Sequence, residues 1–253
     1  MTRPYTAPAA SPANAAITWQ DRKRWAWAMS VVWPLMPFVG LWAHHATGWQ
    51  LMLGLPLLIS YGLLPLLDAV IGEDTNNPPE SVVPQLEADR YYRWLTWATV
   101  PLHYIALCAC AWWAGTHDLS WWALLILAYA AGADAGLGLN TAHELGHKHN
   151  AWEQWLARLA LAVPAYGHFT VEHGRGHHRW VATPEDHASA RMGESIYRFA
   201  LREVPGGVRR AWALESERLA ALGLSPWSVH NTMLQSYAMT AVLQGGLISA
   251  LVR

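Results

Sequence analysis

Histidines at metal-ligand spacing dominate one stretch of this sequence. Eight of the thirteen histidines fall between residues 143 and 187. His143 and His147 stand four residues apart in His143-Glu144-Leu145-Gly146-His147, and Glu172-His173-Gly174-Arg175-Gly176-His177-His178 repeats the spacing and adds a third ring. On a helix, residues i and i+4 share one face, with Cβ atoms roughly 5–6 Å apart. A neutral imidazole nitrogen offers a lone pair at neutral pH, which makes histidine the commonest metal ligand. His143, His147, His173, His177 and His178 are therefore the candidate metal ligands. Imidazole suits zinc, copper, iron and nickel alike, so ligand type alone does not name the metal.

The first cluster also matches H-E-x-x-H, which in zinc peptidases supplies two ligands and a general-base glutamate. Glu144 would be that base and Glu172 the third ligand. His173, His177 and His178 count against this reading, because three protein ligands and a water complete such a zinc site. A haem or metal carrier with paired histidines at the membrane is a non-enzymatic alternative. Candidate supports around the ligands are Asp68, Asp134, Glu144, His168 and Glu172. Asp134 precedes His143 by nine residues, roughly 13 Å along a continuous helix. It is placed to accept the second N–H of a ligand imidazole, as ligand histidines usually require, or to make a purely structural contact. His149 and His187 are expected in solvent, and His103 as a satisfied histidine within the membrane.

Apolar helices have to position these groups. The chain has seventeen Trp against three Phe and a net charge of −1. Tryptophan enrichment suits membrane interfaces, and the near-zero charge argues against a nucleic-acid partner. Cys108 and Cys110 sit in an apolar run and read as packing residues. Residues 1–24 read as a mobile N-terminal tail ending in Arg22-Lys23-Arg24. Four uncharged or nearly uncharged runs follow, Trp25 to Ala43, Trp49 to Leu67, Trp94 to Gly115 and Leu119 to Ala142. Each approaches the roughly 20 apolar residues that cross a bilayer as a helix. Pro34 and Pro37 should kink the first. Residues 72–93 read as a loop. Residues 143–226 are too charged to span and read as a helical metal-binding region. In it Trp152 to Val163 and Arg209 to Leu222 read as helices, and Thr183-Pro184-Glu185-Asp186 as a helix start. Residues 227–253 form a fifth apolar segment. The fold class is thus all-α, a polytopic membrane bundle with a histidine-rich helical region. Lysine and arginine lie before the first span, between the second and third and after the fourth, and are missing from the two opposite links. The positive-inside rule then puts the N-terminus and the histidine clusters on the cytoplasmic side.

With these residues in view, the chain resembles the alkane 1-monooxygenases of the membrane fatty-acid desaturase and hydroxylase superfamily. Asn140 to Lys148 looks like their first histidine box. Glu172 to His178, running on through Val181-Ala182-Thr183-Pro184-Glu185-Asp186 and Arg191 to Phe199, looks like the second. Asp68, Gly72, Glu73-Asp74 and Asn77-Pro78-Pro79 fit as well, and His187 stands where the family commonly has proline. The resemblance implies two non-haem iron ions ligated by His143, His147, His173, His177 and His178. It also implies hydroxylation of the terminal methyl of n-alkanes with O2, rubredoxin as electron donor, and a multi-pass place in a bacterial inner membrane. The family's further histidine motifs lie downstream of residue 253. The chain is therefore expected to be the N-terminal two-thirds of such an enzyme and inactive alone.

Overall fold

In the computed structural model, which describes residues 19–251, every regular element among the described residues is helical. The expected mobile tail over residues 1–18 lies outside that range. Residues 19–24, placed in the same tail, are instead tied down. The Tyr92 hydroxyl donates to Asp21 (2.5 Å), Arg24 meets both oxygens of Asp89 (2.7 and 3.2 Å), and the Tyr91 hydroxyl donates to the Arg24 carbonyl (2.9 Å).

Among the described residues, four helices are long and apolar enough to cross a membrane by length and composition. The first, α1 (Arg24–Thr47), tightens to a 3-10 turn at Trp33–Leu35, around Pro34. A proline has no N–H and its ring crowds the preceding turn, so the α-ladder cannot run through it unchanged. Gly48, at φ 72°, ends α1 in the left-handed conformation that glycine adopts without strain. The second, α2 (Gln50–Ile71), loosens to a π-turn at Ile59–Leu63, just ahead of Pro65. The segment read as a loop has no regular structure over residues 73–79 and is then helical, with α3 at Val83–Ala88. The third span, α4 (Arg90–Thr116), starts four residues earlier than the apolar run, because the Asp89 carboxylate caps the Tyr91 amide (2.9 Å). The fourth, α5, runs unbroken over Trp121–Gly146.

Beyond α5 the chain folds back. Asn150 caps α6 (Ala151–Ala162) through the Trp152 amide (3.0 Å). A helical stretch, α7, covers residues 169–180 and contains a π-helix at Glu172–His177. Residues 183–186 form turns and no helix begins there, which corrects the reading of Thr183-Pro184-Glu185-Asp186 as a helix start. The Thr183 hydroxyl donates backward to the Trp180 carbonyl (2.7 Å) instead of capping forward. The helix expected from Arg209 starts at Ile196 and reaches Ala221 as α8, with Pro205 inside it. The fifth apolar segment is α9 (Thr232–Leu251), which is not among the four span-grade helices.

Three apolar clusters hold the helices together. Leu41, Leu53, Cys110, Trp113 and Leu127 join α1, α2, α4 and α5. Val100, Ala142, Leu145, Leu156 and Leu161 join α4 and α5 to α6. Val171, Ala211 and Met233 join α7, α8 and α9. The outer faces stay apolar: Trp42, Leu58, Val70, Leu125 and Tyr129 are all exposed. A solvent-facing stripe of that kind suits lipid. Inside the bundle, polar pairs stitch helix to helix. Thr99 and Thr141 share a hydrogen bond (3.0 Å), His103 pairs with Asp134 (3.0 Å), and the Tyr104 hydroxyl donates to the Leu159 carbonyl (2.8 Å).

Candidate metal centre

The last turn of α5 carries His143, and His147 follows as its C-terminal cap. Their Nε2 atoms lie 2.9 Å apart. The π-helix in α7 carries His173, and His178 follows directly. The extra residue per turn in a π-helix shifts the register of side chains, and such turns recur at functional sites. Here His178, five residues from His173, brings its Nε2 to 3.0 Å from that of His173. His173 Nε2 is in turn 3.2 Å from His147 Nε2. All four residues can offer a ring nitrogen within 4.8 Å of one another. Two nitrogens each about 2.1 Å from one ion, at angles from square to tetrahedral, lie about 3.0–3.4 Å apart. The 2.9, 3.2 and 3.0 Å spacings match those of neighbouring ligands on a metal ion.

The electrostatics favour the metal-binding form. Burial lowers the pKa of His173 to about 4, and the neighbouring His143, His178, His147 and His177 push the same way. Burial, with His143 and His178, also lowers that of His147. Neutral imidazoles keep their lone pairs at pH 7 and need shed no proton to a cation.

His177 stands beside this group and not in it. Its ring centroid is 5.4 Å from that of His173, and its Nδ1 lies 2.9 Å from the Asp186 carboxylate. With the carboxylate ionised, Nδ1 carries the proton and Nε2 keeps a free lone pair. Burial works to raise the Asp186 pKa, but hydrogen bonds from Ser189, Arg210 and His177 hold it well below the usual carboxylate range. Arg210 of α8 reaches Asp186 (2.9 Å), the Glu185 carbonyl (2.6 Å) and the Glu172 carboxylate. Gly176 makes room for it, since a Cβ there would meet Arg210 Nε at 2.9 Å. Five residues after Arg210, α8 also supplies the fully buried Glu215, which takes Arg175 at 2.7 Å and Arg218 at 2.6 Å. The segment bearing three of the histidines is thereby clamped to α8 from both flanks.

The expected supports land elsewhere. Asp134 pairs with His103 on α4 and not with a ligand imidazole, and its Oδ1 is buried without a partner. Asp68 is exposed near the end of α2. Glu144 forms an ion pair with Lys148 one turn on (2.7 Å). Glu172 is buried against Arg210. His168 is buried, with Nδ1 3.0 Å from the Tyr237 hydroxyl, and burial lowers its pKa to about 4. The zinc-peptidase reading loses both its base and its third ligand to Lys148 and Arg210. His149 is exposed, as expected, whereas His187 is half-buried over Gly206. Arg210 and Glu215 carried no local sequence signal, and Asp186 was legible only as part of a helix start. Each acts on a histidine-bearing segment distant from it in the chain or outside any helical spacing.

The fatty acid desaturase family matches residues 119–252, slightly more than half of the chain. The alkane 1-monooxygenase of Ectopseudomonas oleovorans is 52% identical over 236 residues, covering 93% of this chain and 59% of that protein. The alkane 1-monooxygenase of Pseudomonas putida is 53% identical over 230 residues, covering 91% and 57%. The xylene/toluene monooxygenase hydroxylase component XylM of Pseudomonas putida is 30% identical over 122 residues, covering 48% and 32%. The chain thus spans less than two thirds of the length of these relatives. The match over α5 to α9 includes every histidine of the candidate centre, and the chain belongs to the fatty acid desaturase family, with its similarity to alkane 1-monooxygenases running over nine-tenths of its length.

Proposed function

We propose that this chain belongs to a membrane monooxygenase that converts an n-alkane to a 1-alkanol. One atom of O2 enters the terminal methyl C–H bond, and the other leaves as water with two electrons and two protons. The observation that carries the reading is the meeting of His143, His147, His173 and His178 at the end of a set of apolar spans. The similarity to alkane 1-monooxygenases supplies the substrate class.

Two non-haem irons, when bound, supply the O2 and C–H chemistry, with reduced rubredoxin as the electron donor. Imidazole is a suitable iron ligand. His143, His147, His173 and His178 offer converging lone pairs, and His177 offers Nε2 while Asp186 holds its other nitrogen. Asp186 and Arg210 fix the aim of the second segment. The spans bind an alkane by shape and apolar contact alone, since it has no polar handle, and take it directly from the bilayer. In this reading the membrane is a bacterial inner membrane, and the lysine and arginine distribution supports a cytoplasmic side for the histidines.

The test is expression of the whole reading frame containing this chain, with rubredoxin and its reductase, in a host without alkane oxidation. Labelled O2 should place one heavy oxygen in the 1-alkanol, and His147→Ala or His173→Ala should abolish the product. Zinc as the sole bound metal, with no alkanol formed, would overturn the reading. Bulky substitutions along one face of the spans should shorten the accepted alkane. An unchanged product profile across all four would sink delivery through the bundle.

A further inference from the structure

Phe169, His173 and His177 stand at four-residue intervals in α7, and their rings form one column. The Phe169 and His173 centroids are 4.8 Å apart with the planes 14° from parallel, and those of His173 and His177 are 5.4 Å apart at 22°. Side chains four residues apart lie one above the other on a helix. His173 is therefore held between two rings, and each of these is itself anchored. His177 is fixed by Asp186 (2.9 Å). Phe169 packs against the apolar cluster of Val100, Ala142, Leu145, Leu156 and Leu161, with the Tyr166 ring 5.9 Å away. The Tyr166 hydroxyl in turn donates to Glu203 of α8 (2.9 Å).

His173 links the two halves of the histidine group. Its Nε2 is 3.2 Å from that of His147 on the first segment and 3.0 Å from that of His178 on the second. A ligand histidine usually donates its other N–H to a carboxylate or carbonyl, which sets the orientation of the ring. Among the described residues, none of the four converging rings makes such a bond through Nδ1; their ring nitrogens meet only one another. The last torsion of a histidine side chain is broad, so without that bond the ring turns unless something packs on its face. Phe169 lies flat on His173 within the separation of stacked aromatic pairs, roughly 4.5–7 Å. The same ring stands 6.2 Å from His143, steeply inclined to it at 69°. A bound cation draws electron density from its imidazole ligands, and the negative face of a phenyl ring favours the positive charge that results.

We propose that Phe169 is a positioning residue of the metal centre. Stacked on His173, it sets the plane of that ring and hence the direction of Nε2, the part that Asp186 takes at His177. The proposal rests on the four histidines as metal ligands and not on the identity of the substrate.

The experiment titrates the full-length protein, purified free of metal, with Co2+. Calorimetry reads the affinity, and the visible absorption of bound Co2+ reads the ligand geometry. Phe169→Leu and Phe169→Met keep apolar bulk and remove the aromatic face. Their Co2+ affinity should fall about two- to tenfold, the worth of one aromatic pair, and the visible bands should shift. Phe169→Tyr keeps the face and should restore both. Leu159→Ala, in the same apolar cluster, should lower the melting temperature and leave affinity and bands at the parent values. In the metal-free protein labelled with 13C-histidine, the ring protons of His173 should lie upfield in the parent and move downfield in Phe169→Leu as the ring current is lost. Unchanged affinity and bands in Phe169→Leu, or a His173 signal that does not move, overturn the proposal. So does an equal loss of affinity in Phe169→Tyr or Leu159→Ala, which would assign the effect to packing alone. A parent that binds Co2+ and hydroxylates no alkane removes the function and leaves Phe169 in its role. A parent that binds no Co2+ removes the metal centre and this role together.

Discussion

His177 gives its Nδ1 to Asp186 at 2.9 Å, while Arg210 holds the other oxygen of the same carboxylate at 2.9 Å. The imidazole is thereby fixed in rotation and tautomer by a turn after it and a helix well beyond. Such partners keep the second nitrogen of a ligand basic and aimed. The relationship extends the candidate centre past the four converging rings.

Asp186→Ala frees the His177 ring and leaves Nδ1 without its acceptor. Affinity for Co2+ or Fe2+ should fall about 10–100-fold, the usual effect of losing such a partner. Calorimetric titration reads it, with exposed His149→Ala as the control. Equal affinities for Asp186→Ala and the parent would show that His177 takes no part in binding.

Arg210→Met strands the buried carboxylates of Glu172 and Asp186, which Arg210 now pairs. Removing one partner of a buried pair costs about 3–5 kcal/mol. Thermal unfolding should show a large drop for Arg210→Met and a smaller one for Arg210→Lys, whose ammonium cannot fork between two carboxylates. Identical melting of the three proteins would contradict the clamp.

Asp134→Ala separates two effects that the sequence leaves joined. Its partner is His103, at 3.0 Å between α4 and α5. The variant should lose about 1–3 kcal/mol of stability, as for a buried group left without its hydrogen bond. Metal affinity should stay at the parent value. A drop in affinity with unchanged melting would restore Asp134 as a support of the ligands.

Glu215 sets an acid limit. Burial works to raise its pKa, but hydrogen bonds from Arg218, the Thr232 amide and Arg175 bring it down to about 2, from an ordinary 4.5. A depressed folded pKa gives stability that is complete above the unfolded value and is lost as pH falls toward the folded one. The docking of α7 and α9 on α8 should therefore weaken between about pH 4.5 and 2. Hydrogen exchange of these helices across that window reads the change, and Glu215→Gln should flatten it.

Gly206→Ala should destabilise by about 1–3 kcal/mol, as overpacking does. A Cβ at Gly206 would lie 2.6 Å from the His187 ring. The pair His187→Ala with Gly206→Ala should recover part of the loss in the same melting assay, and no recovery would place the strain elsewhere.

The sequence by itself determined the all-helical class, the four apolar span-length helices and the two segments whose histidines come together, though it counted His177 with the four that meet. Those signals are local. An uncharged run of span length has one economical fate in a bilayer, and the four-residue spacing of His143 and His147 sets a shared helix face whatever surrounds it. The His173 to His178 segment was legible as ligand-bearing for the same reason, although the π-turn that brings His178, five residues from His173, to the other three was not. What only the tertiary structure decided is how each side chain finds its partner. Asp134 could face a ligand or another helix, and the packing of α4 on α5 gave it His103. Glu144 and Glu172 have the types and spacing of a peptidase site, and Lys148 and Arg210 took them out of it. Thr183 to Asp186 has a helix-start composition, and the pull of His177, Ser189 and Arg210 on one carboxylate made it a turn. A charged side chain has many permitted local partners, and the one that wins is set by residues far along the chain that folding brings within about 3 Å.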